Sequence, residues 1–314
     1  MFELIFLGTS SSAPSVNRGL SGHIILYRQH RFLLDCGEGT QRQILRSGLG
    51  FKRLHTVLLT HGHLDHILGL GGLISTLSRW ENLDHLDIYG GRSALARVNK
   101  LLFQVVFPGK MAPVEINLNP LQPGQIIMED DKFSLSAIPV SHRGPDCYGF
   151  LFQEKSRRPF LADKAAALGV PFGPERACLV RGEALTLPDG RVIEPDEVLG
   201  PAMRGTKYVH IGDVGRTNNL LDVCRDADTL VIESTYLEEE ADMAQQFGHM
   251  TAANGARLAQ EAGVKTLILT HLSRRYRERD VYIEARSIFP NTYVARDLDH
   301  FQITRDGGTR INRK

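Results

Sequence analysis

The sequence lacks the features of a secreted or membrane-spanning protein. Its four cysteines are widely spaced and form no Cys-x-x-Cys pair, which favours free thiols in a reducing compartment. The N-terminus has no basic start followed by a long apolar stretch, as a signal peptide would. No apolar run approaches the roughly 20 residues that span a bilayer. With 314 residues and a net charge of +1, we expect a soluble cytoplasmic protein with a substantial core and no overall attraction for polyanions.

What the sequence does contain is a dense group of potential metal ligands, namely His61, His63, Asp65 and His66. The group follows a strand-like run at 56–59, and α/β proteins place ligands at the carboxyl ends of strands. Zinc accepts imidazole nitrogen and carboxylate oxygen. On an extended turn His61 and His63 point the same way and can hold one ion, while Asp65 and His66 can hold a second. The alternative, a histidine-rich surface loop without metal, is disfavoured by the density of the pattern.

This His-x-His-x-Asp-His stretch resembles the signature of the metallo-β-lactamase superfamily. The resemblance implies an α/β fold, a four-layer αβ/βα sandwich with a metal site at one edge. It also requires the remaining ligands to follow later in the chain, in order. We expect residues 1–314 to form a single domain of this fold, interrupted by one insertion.

Apolar runs and turn residues predict the order of the remaining elements. A helix is expected to begin near Thr40, with Ile44 and Leu45 on its apolar face. Further helices are expected at 67–78, 95–106 and 252–262. Strands are expected at 2–7, 23–27, 31–34, 56–59, 87–89, 132–139, 229–233, 266–269, 293–294 and 301–303.

Three later residues occupy positions that suit the missing ligands. His142 follows the strand predicted at 132–139, Asp213 lies in a turn, and His271 follows the strand at 266–269. Taken alone, His142 would be an ordinary loop histidine and Asp213 an ordinary turn residue. Their order along the chain favours the ligand interpretation.

Two segments of the first half recur in the second. Residues 56–61 match residues 266–271 almost one for one, and the Asp-x-Gly at Asp35 is matched at Asp213. Because the two matches occur in the same order, they favour two related halves whose strand ends converge on one site.

The superfamily resemblance implies two Zn²⁺ per chain and assigns their ligands. It also implies that Asp35 orients a ligand imidazole, as carboxylates around zinc sites do. Paired divalent cations lower the pKa of water and hold the attacking and leaving oxygens, which suits phosphodiesters but also lactams and thioesters. The implied ligands are His61, His63 and His142 for one ion, Asp65, His66 and His271 for the other, and Asp213 as the bridge.

Further stretches together resemble the ribonuclease Z family, namely 6–10, 35–41, 141–143, 248–249, 271–276 and 293–297. The resemblance runs from Phe2 to about Ile303. It implies a zinc-dependent endoribonuclease that removes the 3′ trailer from precursor tRNA and leaves a 3′ hydroxyl on the tRNA. The family is typically homodimeric, with one subunit's arm serving the other's site.

Two groups near the metals receive roles on this basis. His249, with Asp65, is expected to be catalytic, because a histidine beside the metals can protonate the departing 3′ oxygen. The alternative for His249 is a packing residue at the entry of a helix. Arg274 and Arg275 follow His271 closely and are expected to contact phosphate, although surface charge clusters are usually only solvated.

Residues 153–207 interrupt the rhythm of strands with proline, glycine and charge. They resemble the projecting flexible arm by which this family grips the tRNA elbow, with Gly173-Pro174 where its Gly-Pro motif is expected. The stretch has nine basic and seven acidic residues, so RNA contact would rest on a few placed side chains. The candidates are Lys164, Arg176 and Arg181.

Two other functions remain compatible with parts of the pattern. A small-molecule phosphodiesterase or another hydrolase could use the same metal site, but a small substrate needs no arm. A non-catalytic subunit could keep the fold to bind RNA or protein, but it would not need the complete ligand set.

Overall fold

The structure, a computed structural model, describes residues 1–80, 83–109 and 112–311. The chain forms two compact units, Met1–Gln153 with Thr206–Lys314, and Glu154–Gly205. The insertion expected at 153–207 differs from the smaller unit by one residue at its start and two at its end.

The strands, numbered in chain order, are β1 (Phe2–Gly8), β2 (Gly22–Tyr27), β3 (His30–Cys36), β4 (Thr56–Leu58), β5 (His85–Gly90), β6 (Glu115–Pro120), β7 (Ile126–Glu129), β8 (Phe133–Val140), β9 (Cys147–Glu154), β10 (Leu185–Thr186), β11 (Val192–Ile193), β12 (Lys207–His210), β13 (Thr229–Glu233), β14 (Thr266–Thr270), β15 (Thr292–Val294), β16 (His300–Thr304) and β17 (Gly307–Ile311).

The α-helices are α1 (Thr40–Arg46), α2 (Leu64–Ile67), α3 (Leu70–Trp80), α4 (Arg92–Lys100), α5 (Ala162–Ala167), α6 (Glu175–Arg181), α7 (Pro195–Val198), α8 (Leu221–Cys224), α9 (Ala241–Gln246), α10 (Ala252–Glu261) and α11 (Glu278–Ile288). A π-helical segment, Leu101–Val106, continues α4, and a 3₁₀ turn, Glu238–Glu240, precedes α9. Within the described residues, no helix is long and apolar enough to cross a membrane.

The larger unit is built on two sheets that share one core. Their strand orders are β17-β16-β1-β2-β3-β4-β5-β6 and β15-β14-β13-β12-β9-β8-β7. Side chains alternate along each strand, so Phe2 and Phe6 of β1 enter the core between the sheets, where they join Phe152. Leu7, on the opposite face of β1, packs beneath the helices that cover that sheet. The helix–sheet–sheet–helix arrangement confirms the predicted four-layer sandwich.

The order of strands also corrects one of the two sequence matches. Each sheet contains three neighbouring parallel strands, β3–β4–β5 in one and β12–β13–β14 in the other. The first strand of each set also pairs with an antiparallel strand, β3 with β2 and β12 with β9. Asp35, near the end of β3, and Asp213, just after β12, therefore lie at the ends of equivalent strands. The strand equivalent to β4 is β13, however. The sequence match between 56–61 and 266–271 paired β4 with β14 instead, which is not its structural counterpart. Short apolar strands that end in threonine resemble one another without sharing a place in the sheet.

Several predicted helices differ from the observed ones. Leu45 is 58% exposed and does not pack inward, whereas Ile44 of the same helix is buried. The helix predicted at 67–78 begins earlier, as α2, and is interrupted before α3 at Gly69. A Cβ at Gly69 would lie 2.1 Å from the carbonyl oxygen of Gly37, so only glycine fits this close approach. The helix predicted at 95–106 begins at Arg92 and changes to π-helix after Lys100.

The sequence analysis did not predict the interior strand β9 or three edge strands, β6, β7 and β17. Edge strands are half solvated and carry polar residues, and β6 and β17 read as EINLNP and GGTRI. Helix α11 was also missed, because it begins within an arginine-rich stretch that has no obvious apolar period.

The smaller unit contains three short helices, α5 to α7, and the two-stranded sheet β10–β11. They enclose a small core of Ala165, Val170, Leu179, Leu187, Ile193 and Val198. No long periodic segment was predicted here, and the longest helix has seven residues.

Candidate metal centre

The predicted ligands all follow the carboxyl ends of strands in the larger unit. His61 follows β4, His142 follows β8, Asp213 follows β12 and His271 follows β14. The loops after these strands meet at one edge of the sandwich, where open α/β sheets bind their ligands. The sequence order of the ligands thus becomes one cluster in space.

Four atoms of the first predicted group converge on one point. His61 Nε2 lies 2.8 Å from His63 Nδ1, which lies 3.4 Å from His142 Nε2. Asp213 Oδ2 is 3.6 Å from His61 Nε2 and 3.7 Å from His142 Nε2. All four atoms lie within 4.8 Å of one another, so one cation can contact them together. This cluster is called the first pocket below.

A second pocket adjoins the first through Asp213. His66 Nε2 is 3.3 Å from His271 Nε2, and Asp65 Oδ2 is 3.7 Å and 3.5 Å from these two nitrogens. Asp213 Oδ1 lies 3.5 Å from His66 Nε2 and 3.3 Å from His271 Nε2. The two oxygens of Asp213 therefore face different pockets, as a bridging carboxylate would.

The far sides of three of the candidate ligand rings are held by the protein. His66 Nδ1 contacts Asp35 Oδ2 at 2.7 Å, His142 Nδ1 contacts the Gly248 carbonyl at 2.6 Å, and His271 Nδ1 contacts Thr235 Oγ1 at 3.1 Å. Such contacts fix the orientation of a ligand imidazole and direct its other nitrogen toward the cation.

Asp35 is itself held in place and has an uncommon backbone conformation. It is buried, and its carboxylate accepts hydrogen bonds from the backbone N–H and the hydroxyl of Thr60, both at 2.8 Å. Its φ of 55° lies in the left-handed region, which aspartate tolerates better than most residues. The position predicted for Asp35, behind a ligand imidazole, agrees with this geometry.

The chemistry of the donor atoms fits divalent cations. Burial lowers the pKa of His61, His63 and His142, so these rings are neutral and offer a lone pair. Asp213 Oδ1 is buried and accepts no hydrogen bond within the described part of the chain. A buried oxygen of this kind needs a partner, and a cation in the second pocket would supply it.

His66 differs from the other ligands in its protonation. Burial lowers its pKa, but the carboxylates of Asp213, Asp35 and Asp65 outweigh burial and raise it. A cation that binds at Nε2 must displace the proton there, so binding in this pocket releases protons.

Glu233 and His249 form a pair beside the pockets, of which the sequence analysis identified only His249. Glu233 is fully buried, and its carboxylate contacts His249 Nδ1 at 2.9 Å and accepts a hydrogen bond from the Val214 N–H at 2.7 Å. Burial lowers the pKa of His249, but Glu233 outweighs it and raises the pKa to about 9. The signal for Glu233 was a single acidic residue that ends the otherwise uncharged strand β13.

An open cleft of about 640 Å³ lies beside His249. Arg274 and Arg275 line it, as does Arg143, whose guanidinium lies 5.4 Å from the ring centroid of Phe247. Arg275 is partly committed, because its Nη2 is 3.1 Å from Glu240. The remaining lining residues are Ser11, Ser12, Ala13, Thr235, Tyr236, Phe247, His249 and Ser273.

The three arm candidates lie in the smaller unit and differ in their contacts. Arg176 donates to the carbonyls of Pro171 and Val170, and it lies 3.8 Å from the ring centroid of Phe172. Arg181 pairs with Glu183 at 3.0 Å. Lys164 is exposed on α5, and no ion pair involves it within the described residues.

Comparisons with known proteins agree with this geometry. A family model described as a beta-lactamase superfamily domain matches residues 30–198 and 180–272. Ribonuclease Z of Bradyrhizobium diazoefficiens is 46% identical over 303 residues, which cover 96% of this chain and 100% of that protein. Ribonuclease Z of Archaeoglobus fulgidus is 38% identical over 309 residues, covering 98% and 99%. The crystal structure of the short form of human tRNase Z has a TM-score of 0.68 at 23% identity, covering 96% and 99%, and this likeness shows the fold.

Proposed function

The chain belongs to the ribonuclease Z family, and from this premise we propose that it is the endoribonuclease that removes the 3′ trailer from precursor tRNA. The observation that carries the proposal is the pair of adjoining pockets that share Asp213, in a chain 46% identical to a ribonuclease Z over nearly its full length. Paired cation pockets suit the in-line displacement at a phosphodiester.

Each pocket is assigned one Zn²⁺. The nitrogen-rich composition of the first pocket and the mixed nitrogen and oxygen ligands of the second lie within the range that zinc accepts. When bound, the two ions supply Lewis acidity, which lowers the pKa of water and offsets charge on the phosphate. His61, His63 and His142 would hold the first ion, Asp65, His66 and His271 would hold the second, and Asp213 would serve both.

His249 is placed to handle the leaving group. Its ring contacts those of two ligands, with centroids 5.0 Å from His142 and 5.8 Å from His271, and it lines the open cleft. The oxygen of a water molecule, which loses one proton, bonds to phosphorus as the bond between phosphorus and the 3′ oxygen breaks. His249 donates a proton to the departing 3′ oxygen, and the phosphate stays on the trailer. Glu233 holds the ring through Nδ1, so Nε2 is the donating atom.

Arginine side chains near the cleft bind the RNA backbone in this proposal. Arg143, Arg274 and Arg275 line the cleft beside His249. Guanidinium groups recognise phosphate through paired hydrogen bonds, so these side chains hold the phosphates that flank the scissile bond.

The smaller unit is proposed as the arm that grips the tRNA body. It provides none of the candidate ligands, and it is separate from the core of the sandwich. Lys164 is its best candidate for phosphate contact, because Arg176 and Arg181 already bind partners within the unit.

A homodimer in the cytoplasm, where it would meet precursor tRNA, completes the proposal. Leu64 and Leu68 lie one turn apart and are 60% and 42% exposed. They flank the ligands Asp65 and His66, and an exposed apolar pair beside a site favours association with a partner. A second subunit on this surface would lie close to the metal centre.

The function is tested with two substrates and one chelator. The purified protein is incubated with a precursor tRNA and with bis(4-nitrophenyl) phosphate, before and after removal of metal, and zinc is then restored. We expect endonucleolytic cleavage of the precursor, loss of both activities on chelation, and recovery with zinc. Cleavage of the small ester alone would favour a small-molecule phosphodiesterase. Binding of the precursor without hydrolysis of either substrate would favour a non-catalytic subunit.

A further inference from the structure

A second cleft, of about 660 Å³, lies between α11, β15 and β17. It shares no lining residue with the cleft beside His249. The two are joined by one loop, because Ser273, Arg274 and Arg275 line the first cleft and Glu278 and Arg279 line the second. The other lining residues of the second cleft are Tyr282, Arg286, Pro290, Asn291, Thr292, Tyr293, Val294, Arg296 and Arg310.

Two of the four arginines in this cleft are neutralised by carboxylates. Arg296 Nε lies 2.9 Å from Glu278 Oε1. Arg310 Nη2 lies 2.9 Å from Asp299 Oδ2. The ion pairs Arg296–Glu278 and Arg310–Asp299 therefore hold these two arginines in place along the walls of the cleft.

The other two arginines remain uncompensated. Arg279 and Arg286 are both exposed, and neither has a carboxylate partner among the residues that the structure describes. They stand seven positions apart on α11, which places them on one face of the helix, two turns apart. Arg286 also donates a hydrogen bond to the Tyr282 hydroxyl, but this contact leaves its charge unneutralised. Two guanidinium groups without carboxylate partners along one wall attract an extended anion with repeated negative charges.

Aromatic rings lie beside these cations. Tyr282 is between the two arginines on the same face of α11, is 37% exposed, and has the guanidinium of Arg286 5.0 Å from its ring centroid. Tyr293 of β15 lines the opposite wall, and the guanidinium of Arg310 lies 5.6 Å from its centroid. Flat rings beside guanidinium groups are the surface on which unpaired bases stack without regard to sequence.

The size of the cleft restricts the ligand. A volume of about 660 Å³ lies in the range of sites that take small molecules or single residues of a polymer. It is too confined for a double helix. An RNA strand that crosses the metal centre is base-paired on the side of the tRNA and single-stranded on the side of the trailer.

We propose that the α11–β15–β17 cleft binds the single-stranded 3′ trailer downstream of the scissile phosphate. This inference rests on the proposed function, since it assigns a place to one part of the same substrate. Bases of the trailer stack on Tyr282 and Tyr293, and its phosphates contact Arg279 and Arg286. The loop that follows His271 leads the strand from one cleft to the other.

The test compares precursors that differ only in trailer length. One carries a single trailing nucleotide, and the other carries about 16, the upper end of single-stranded site sizes. The variant is Tyr282→Ala with Arg286→Ala, both exposed positions on α11. Ile283→Ala with Lys100→Ala is the matched control, because it also truncates one exposed apolar residue of α11 and removes one exposed cation, outside the cleft.

For the long trailer, we expect the variant to raise KM roughly tenfold with kcat unchanged, since loss of one stacked base typically weakens binding by about this factor or more. The salt dependence of long-trailer binding should become shallower by about 0.7 per lost phosphate contact. Both precursors should behave alike in the control, and the single-nucleotide precursor should not distinguish the variant from the wild type.

The outcomes separate this inference from the function on which it rests. A wild type that cleaves neither precursor would overturn the function itself. If the wild type cleaves both, an unchanged KM for the long trailer in the variant overturns only the trailer site. An equal loss on both precursors would assign the cleft to the tRNA body instead. A variant that becomes monomeric in light scattering while the control does not would identify the cleft as a subunit interface, which also overturns the proposal.

Discussion

The two units of this chain hold their polar side chains in opposite ways. In the larger unit His66 is fixed at both ends, between Asp35 and the second pocket. In the smaller unit Lys164 is exposed and uncommitted, and Arg176 stacks on the exposed ring of Phe172. Chemistry needs reacting groups held to a fraction of an ångström, whereas contact with a flexible polyanion does not. The comparison predicts that changes at the two pockets abolish turnover, whereas changes in the smaller unit alter only substrate affinity.

The largest effect should come from a ligand of the first pocket. His63→Ala removes one of four convergent atoms, and activity on both substrates should fall by roughly 10⁴-fold or more, because the metal supplies several kcal/mol of charge stabilisation. Metal content by mass spectrometry should fall as well, while the circular dichroism spectrum stays unchanged. His85→Ala is the control, since this histidine is half exposed and stacks on His55 away from the pockets. A fully active, metal-depleted His63→Ala protein would contradict the assignment.

His249 is the next test, because it acts on the leaving group and binds neither ion in our assignment. His249→Ala should lower kcat on precursor tRNA by roughly 10²–10⁴-fold, the range for a positioned acid. The loss should be smaller on the nitrophenyl ester, whose leaving group needs no proton. Metal content should not change. Glu233→Gln keeps a neutral partner at Nδ1 and should lie between wild type and His249→Ala. Equal losses of His249→Ala on both substrates would leave a packing role only.

Removal of the smaller unit tests the comparison most directly. The backbone of Arg157 pairs with that of Met203 at both ends of the insertion, with N···O distances of 3.0 and 2.8 Å. A short Gly-Ser linker can therefore replace residues 158–202. Precursor tRNA cleavage should fall by about 10²-fold in kcat/KM, since about 3 kcal/mol of distant binding is lost. Hydrolysis of the nitrophenyl ester should persist within twofold or so. Unimpaired tRNA cleavage by this deletion would remove the arm from the mechanism.

The smallest effects should distinguish two cations within the smaller unit. Lys164→Ala should weaken precursor binding only a few-fold and make its salt dependence shallower by about one, as for a lost phosphate contact. Arg176→Ala should instead make the unit more sensitive to proteolysis, because Arg176 holds the carbonyls of Val170 and Pro171. If Lys164→Ala has no effect on the salt dependence, the phosphate contact lies elsewhere.

The sequence predicted which side chains converge in the two pockets better than it predicted the surroundings of those side chains. His61, His63 and the later ligands could be found because their spacing and their positions after strands are local features. Glu233 was missed as a partner of His249, because the contact depends on a loop that returns 16 residues later. The hydrogen bonds of Arg176 within its own unit could not be predicted either, since the sequence around a charged residue does not indicate its partner.

For the fold as well, features set by nearby residues were predicted, whereas features set by distant parts of the chain were not. Strand β13 was predicted to the residue, at 229–233, because both its faces are buried and the three residues between Thr229 and Glu233 are all apolar. The edge strand β6 was missed, since its residues are only partly buried and include two asparagines. The match of 56–61 with 266–271 failed for a related reason: the place of a strand in a sheet is set by its neighbours.

The spacing of the ligands has a consequence for how the protein is made. The first cluster, His61 to His66, emerges early in synthesis, but Asp213 and His271 follow only after most of the chain has been translated. A nascent or truncated chain that ends before His271 lacks a ligand of the second pocket, however well its first half has folded. With the proposed ligands, the ability to cut RNA arises only when the second half of the sandwich is complete, and we expect ribosome-bound fragments of this protein to be inert toward precursor tRNA.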